Sequence, residues 1–245
     1  MKISKFQNLN LCFKYVLLLC FTLVSIVSIA QDDIITSEPI VIEESIPRDK
    51  VYYLFSPRVS ITVPHPMGNS AFKKTFVGIY EANAGFNLML YKGVFGGVTF
   101  KNALLKITDN KIPNYGNGSM SIYSAAVKAG SDFYISDKNN LIFSASIAAG
   151  QNTTKYSSII CKNPVNHPLT TDFKAFYAEP ELDLYFIIEE NFGVGLSVTY
   201  SIIQHTFDPY ELCLNEWSQY SKTNTGSTQY LSFGFGFYYG IARRG

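Results

Sequence analysis

From about residue 51 onward the chain alternates between apolar and polar side chains at every second position, in eight separate stretches. These run over about 53–64, 76–91, 94–106, 119–135, 140–152, 173–187, 192–206 and 228–241. A period of two sends successive side chains to opposite faces, so each stretch predicts a β-strand with two unlike faces. In the last, Leu231, Phe233, Phe235, Phe237, Tyr239 and Ile241 share one parity, against Ser232, Gly234, Gly236, Tyr238 and Gly240 on the other. In the sixth, Phe176, Ala178, Pro180, Leu182, Leu184 and Phe186 oppose Tyr177, Glu179, Glu181, Asp183 and Tyr185. No amphipathic helix of convincing length intervenes.

The connections alternate too. Lys92-Gly93, residues 137–140 and residues 189–191 are tight polar turns, whereas 65–75, 107–118, 153–172 and 207–227 are long and rich in Pro, Asn and Gly. All tight turns then lie at one end of an antiparallel sheet, and an even strand count puts both termini there. Two closed architectures suit such a sheet. A soluble ligand-carrying barrel would bury the apolar face and show water mostly Gly, Ser and Ala; a membrane barrel turns the aromatic wall to lipid and fills its narrow interior with the small and polar set. Charged residues make up only 16% of the chain and aromatics 15%, which is little charge for a water-facing surface. The reading is an all-β, eight-stranded antiparallel up-and-down transmembrane barrel over residues 51–245.

The segments before it fit that destination. Residues 1–30 have the parts of an export signal: Lys2, Lys5 and Lys14, an apolar run from about Val16 to Val27, and Ser28-Ile29-Ala30 ahead of Gln31. With cleavage after Ala30, the three lysines removed leave 17 basic against 19 acidic residues. A net charge near −2 gives no electrostatic footprint for nucleic acid. Residues 31–50 carry six acids, two bases, two prolines and no aromatic, a composition for a flexible acidic lead-in, here expected in the periplasm.

On these residues the chain resembles the small eight-stranded outer-membrane barrels of the OmpA and OmpX type, and its Tyr-rich strands and Ala-Gln-Asp cleavage region are similar to members from the Bacteroidota. "FGFGFYY" resembles the terminal aromatic signal through which such proteins reach the barrel-assembly machinery, although here the chain ends in Ala242-Arg243-Arg244-Gly245. No peptidoglycan-binding domain follows the barrel, so cell-wall anchoring is not implied.

Eight strands leave a lumen only wide enough for side chains. Its ionisable set is expected to be Arg58, Lys101 and Lys128 with Glu81, Asp132, Glu179, Glu181 and Asp183, paired as a salt-bridged plug; the other reading is a narrow cation path or metal site at Glu179, Glu181 and Asp183. No histidine or cysteine joins that pattern, so no metal and no cofactor is assigned. His65 and His205 fall at the long-loop end with Asp208 nearby, the residue types a lipid A acyltransferase or deacylase would need there, but no nucleophile motif accompanies them. The Gly193-x-Gly195 and Gly234-x-Gly236 pairs lack a following helix and read as relief of crowding in the lumen. Sequons at Asn117 and Asn152 are treated as chance. Cys161 and Cys213, in the third and fourth long loops, are candidates for a disulfide. The fourth loop also holds Phe207, Tyr210, Trp217 and Tyr220, either a lid over the barrel mouth or a surface for a partner. The function that follows is a non-enzymatic structural or accessory subunit of the envelope, bathed in outer-membrane lipid. Its outer loops, or Ile40-Val41-Ile42 of the lead-in, would meet protein partners. A lipid A-modifying enzyme and a narrow channel are the alternatives.

Overall fold

The computed structural model describes residues 52–108, 110–112, 118–135, 140–162, 168–189, 191–214 and 226–244. The expected export signal and acidic lead-in lie outside them. The strands are β1 (Tyr52–Gly68), β2 (Val77–Tyr91), β3 (Val94–Ile107), β4 (Gly118–Tyr134), β5 (Leu141–Lys162), β6 (Pro168–Ile187), β7 (Phe192–Ile203), β8 (Thr228–Tyr239) and a short β9 (Ile241–Arg244). From β1 to β8 each pairs antiparallel with the next, and β1 pairs with both β2 and β8, so the sheet closes. β9 continues β8 in one register against β1, as Arg58 opposite Tyr238 and Phe55 opposite Ile241 show. The barrel therefore has eight strand positions. No helix among the described residues is long and apolar enough to cross a membrane.

Closure decides which face is which. Phe233, Phe235, Phe237, Leu182, Leu196, Val198, Phe86 and Phe100 are exposed on the outside, Phe235 at 67%, while Glu81, Glu179 and Ser197 are at most 1% exposed inside. A soluble barrel would have the opposite arrangement, so the exterior is one made for hydrocarbon. At the β2–β3 hairpin both central residues, Lys92 (φ 33°) and Gly93 (φ 91°), take the left-handed region, the twist that two-residue turns between right-twisted strands favour. Inside the wall, Gly236 makes room for the ring of Tyr185: a Cβ there would meet its Cε1 at 3.0 Å.

Two features of the long-loop end differ from the expected pattern. β5 reaches Lys162 and β6 begins at Pro168, so most of the expected 153–172 loop is a hairpin projecting past the apolar band. There the outward face is no longer apolar and the alternation lapses, while the backbone ladder continues through pairs such as Lys155 with Asp172. The first long loop contains a six-residue helix, α1 (Ser70–Thr75). Asn69 caps it by accepting from the amides of Ala71 (2.9 Å) and Phe72 (3.1 Å).

Phe235 sits near the middle of the exposed face of β8. Replacing it with arginine is expected to cost about 2–4 kcal/mol, the penalty for a cation near the bilayer midplane. Equilibrium urea unfolding in phospholipid vesicles, read by the gel mobility of the folded barrel, measures it.

Candidate functional site

Reading the inward residues of β6 from the long-loop end gives Phe173, Ala175, Tyr177, Glu179, Glu181, Asp183, Tyr185 and Ile187. That order is the order of the lumen: an apolar mouth, a charged belt and an aromatic floor.

In the belt, Lys101 Nζ lies between two carboxylates. It pairs with Glu179 and lies 3.5 Å from Glu81 Oε1. It also donates to Ser201 Oγ at 2.9 Å, and Ser201 in turn donates to Glu179. Glu81 Oε1 further accepts from Thr62 and Thr199, each at 3.2 Å. The rings of Tyr230 and Tyr177 stand over the ammonium with centroids at 5.5 and 5.9 Å. Lys128 meets Glu181 at 2.6 Å. Arg58 reaches across the lumen to Asp132 (2.6 Å) and Ser144 (2.6 Å), its guanidinium among the rings of Phe95, Tyr238 and Tyr185 at 4.8–5.5 Å. Asp183 lies on the ladder between Ser144 and Ser197, outside the four ion pairs seen among the described residues.

All eight ionisable residues singled out from the sequence thus face inward, at 6% exposure or less. Their hydroxyl partners Thr62, Ser144, Thr199 and Ser201 were not singled out. The signal for them was the run of Ser and Thr on the polar parity of β1, β5 and β7. Of the three acids weighed as a cation site, Glu179 is held by Lys101 and Ser201, and Glu181 by Lys128. The Lys101–Ser201 contact has the groups of a base and a nucleophile, and both residues are buried.

Above the belt the mouth is filled. Phe72 and Phe76, from α1 and the residue after it, pack with Phe207, Leu212, Leu214, Tyr156 and Ile112 in one buried apolar cluster. Phe76 and Phe207 lie edge to face at 5.3 Å. Asn69 fastens the two inner loops, since its Nδ2 donates to Phe207 O at 3.3 Å. Phe207, named for either a lid or a partner surface, is completely buried in the lid because its ring is one of the cluster's central contacts, and it offers no face to a partner. Tyr210, on a short turn of 3₁₀ helix (Pro209–Leu212), is 63% exposed; Trp217 and Tyr220 lie outside the described residues. Cys213 is disulfide-bonded, and the side chain of Cys161 lies outside the described set.

The two rim histidines stand apart in their surroundings. His65 is exposed on the outside of β1, whereas His205 stacks on Phe173 at 3.5 Å between ring centroids. Burial holds the His205 imidazole below its ordinary value of 6.5, with Asp208 acting in the opposite direction. Asp208 also caps the 3₁₀ turn, accepting from the amide of Tyr210 at 3.0 Å. Asn152, the second sequon, points into the lumen and is buried.

Below the belt Tyr53, Tyr185, Tyr238 and Ile142 form the floor, with Tyr134 and Ile187 against them.

Two predictions follow from this geometry. Lys101→Met leaves two enclosed carboxylates without their cation and is expected to cost about 3–5 kcal/mol in vesicle unfolding, with much of the loss recovered when Glu81 and Glu179 are also made glutamine. Because the folded pKa of His205 is depressed, the folded state favours the neutral ring. Its contribution to stability is complete above 6.5 and declines as pH falls below that value, where the unfolded chain takes up the proton first. Amide exchange over residues 205–214, corrected for intrinsic rates, should accelerate between pH 7.5 and 5.5, and His205→Phe should abolish the difference.

No known family matches the chain by sequence profile, and no curated protein sequence matches it. Solved structures do resemble it in the course of the chain. Neisserial surface protein A is 10% identical, with a TM-score of 0.48, over 76% of this chain and 97% of that one. The attachment invasion locus protein of Yersinia pestis is 12% identical, with a TM-score of 0.40, over 78% and 97%. The outer membrane protein OprG of Pseudomonas aeruginosa is 10% identical, with a TM-score of 0.37, over 76% and 96%. These likenesses concern the path of the backbone and none of its chemistry. In fold, the chain is a closed, eight-stranded, antiparallel up-and-down β-barrel.

Proposed function

We propose that this protein is a sealed, non-catalytic barrel of the bacterial outer membrane that serves as a structural or accessory subunit of the envelope. The observation that carries the proposal is the double obstruction of the lumen. The Arg58–Asp132 and Lys101–Glu179 pairs each join strands three apart and Lys128–Glu181 strands two apart, and the lid of Phe72, Phe76, Phe207, Leu212 and Leu214 fills the mouth above them. A conducting path would have to break both, and a substrate would have to pass the lid to reach the Lys101–Ser201 pair. What stays available to other molecules is the outside, with the projecting β5–β6 hairpin and Tyr210; Ile40-Val41-Ile42 of the acidic lead-in, outside the described residues, is proposed from its sequence as a further contact. In this reading residues 1–30 are removed on export, both termini face the periplasm, the long loops face outward, and the barrel-assembly machinery inserts the chain through its aromatic last strand. Cys161 is the proposed partner of Cys213, tying the projecting hairpin to the lid loop.

Two measurements test this reading. In planar bilayers the purified barrel should give no conductance steps at neutral pH. Lipid A from cells with and without the protein should have the same mass spectrum, while the protein isolated from native membranes should bring envelope proteins with it. Discrete open steps would instead favour the narrow channel, and a change in lipid mass would favour a lipid A-modifying enzyme.

A further inference from the structure

Among the strand side chains described, only four charged groups point outward: Lys106 on β3, Lys155 and Asp172 on the β5–β6 pair, and Lys174 on β6. Every other strand charge described is in the lumen. The four are confined to the wall formed by β3–β6 and to the long-loop end of it. β1, β2, β7 and β8 carry no outward charge there apart from what His65 supplies. They also sit where the apolar band stops. On β6, Leu182, Pro180, Ala178 and Phe176 lead directly to Lys174; on β5, Ile147 and Ala149 give way to Gln151, Thr153 and Lys155; on β3, Val98 and Phe100 give way to Asn102, with Leu104 between it and Lys106. The hydroxyl of Tyr80, donating to Asn102 at 2.8 Å, marks the same boundary on the β2–β3 wall.

The strands place Lys155 and Lys174 on adjacent strands one pleat apart, and Lys106 one pleat above Lys155 and two strands away. Lys174 faces Thr153 across β5–β6, Thr153 faces Tyr123 across β4–β5, and Lys155 faces Ser121 one pleat higher. Lys106 faces Ser119, which faces Ser157. The Lys155 ammonium lies 5.8 Å from the centre of the Tyr123 ring, so it leans back along the wall. Asp172, opposite Lys155, offsets one of the three cations and leaves a surplus of about two. Three ammonium groups, an aromatic ring and a row of serine hydroxyls, directly above a hydrocarbon-facing wall, fit a ligand with acyl chains below and phosphate at its head.

We propose that the β3–β6 wall holds a phosphate-bearing lipid headgroup through Lys106, Lys155 and Lys174, with the acyl chains along Phe100, Val127, Ile147 and Phe176. Given the outward direction of the long loops proposed above, the ligand belongs to the outer leaflet. On the other half of the rim the exposed charges Lys73, Lys74 and Asp208 lie on the connecting segments, whereas Lys106, Lys155, Asp172 and Lys174 stand on the strand wall itself.

Native mass spectrometry of the refolded barrel in a neutral detergent tests the site without regard to the barrel's orientation, which cysteine labelling of the loops on intact cells determines separately. The probe is a bis-phosphorylated acylated glucosamine disaccharide, compared with its dephosphorylated form and with inorganic phosphate. The barrel should retain the phosphorylated lipid preferentially and show no adduct with inorganic phosphate. At about fivefold for each lysine beside an anionic headgroup, K106Q/K155Q/K174Q removes three charges and should weaken retention on the order of 100-fold. D172N should strengthen it about fivefold, and K73Q/K74Q/K111Q, an equal charge change in the loops, should alter it less than about threefold. Heat-shifted gel migration confirms that each variant is folded. Retention of the lipid by K106Q/K155Q/K174Q within about threefold of the parent, equal loss in the loop variant, or equal binding of the dephosphorylated lipid overturns the assignment.

Discussion

Backbone amides and carbonyls facing hydrocarbon have no water to bind, and everything else in this molecule follows from how the chain satisfies them. A sheet can cross a membrane only if it has no free edge. Here the edge is removed by β1 accepting β8 on one side and β2 on the other, with Ile61 opposite Phe235 and Ala82 in the two ladders. Once that closure is made, inside and outside are fixed for every residue of all eight strands. Side-chain chemistry then has to agree with a geometry set by the main chain.

The interior meets that demand in an uneven way. Three cations face five carboxylates in a space where hydration is scarce, and enclosed ion pairs are weak stabilisers because desolvation takes back most of the attraction. The arrangement reduces the penalty by adding neutral donors and rings instead of further charges: Ser201, Thr62 and Thr199 around Lys101 and its acids, and Phe95, Tyr185 and Tyr238 around Arg58. The apolar lid and the tyrosine floor isolate this belt at both ends. Packing of Phe76, Phe207 and Tyr156 in the mouth is ordinary hydrophobic burial, and it gives the upper lumen a core of the kind a soluble domain has.

How much of this the sequence reveals depends on what each segment faces. Between lipid and lumen the two environments differ sharply, so Phe233, Phe235 and Phe237 against Gly236 and Tyr238 declare strand, face and register together. Above the membrane that contrast is gone. Lys155, Ser157 and Thr170 alternate nothing, and the β5–β6 hairpin reads as loop although its hydrogen bonds continue. α1 is six residues long, too short to show a helical period, and its one local sign was Asn69 before Ser-Ala-Phe. The ionisable lumen residues could be named from parity alone, but their partners could not, because Lys101 and Ser201 are one hundred residues apart and meet only when the barrel closes. The burial of Phe207 was equally out of reach: it depends on Phe72 and Phe76 arriving from another loop.

The same parity argument gives the belt a role that its stability does not. A β-strand that slips by one residue exchanges its faces completely. A slip in β6 would carry Glu179, Glu181 and Asp183 into hydrocarbon and bring Pro180, Leu182 and Leu184 inside. In a barrel wall a carboxylate costs less than the ~2–4 kcal/mol of a lysine or arginine at the midplane, and less again toward the interfaces, yet three on one strand still weigh against a whole stability of about 5–15 kcal/mol. Arg58 on β1, Glu81 on β2, Lys101 on β3, and Lys128 with Asp132 on β4 extend the same restraint over consecutive strands. The closing pair β7 and β8 has no charge to lose and relies on Phe233, Phe235 and Phe237 against Ser197 and Gly236. The charges therefore act chiefly against wrong registers: each contributes little to the correct barrel and a great deal to the cost of an incorrect one.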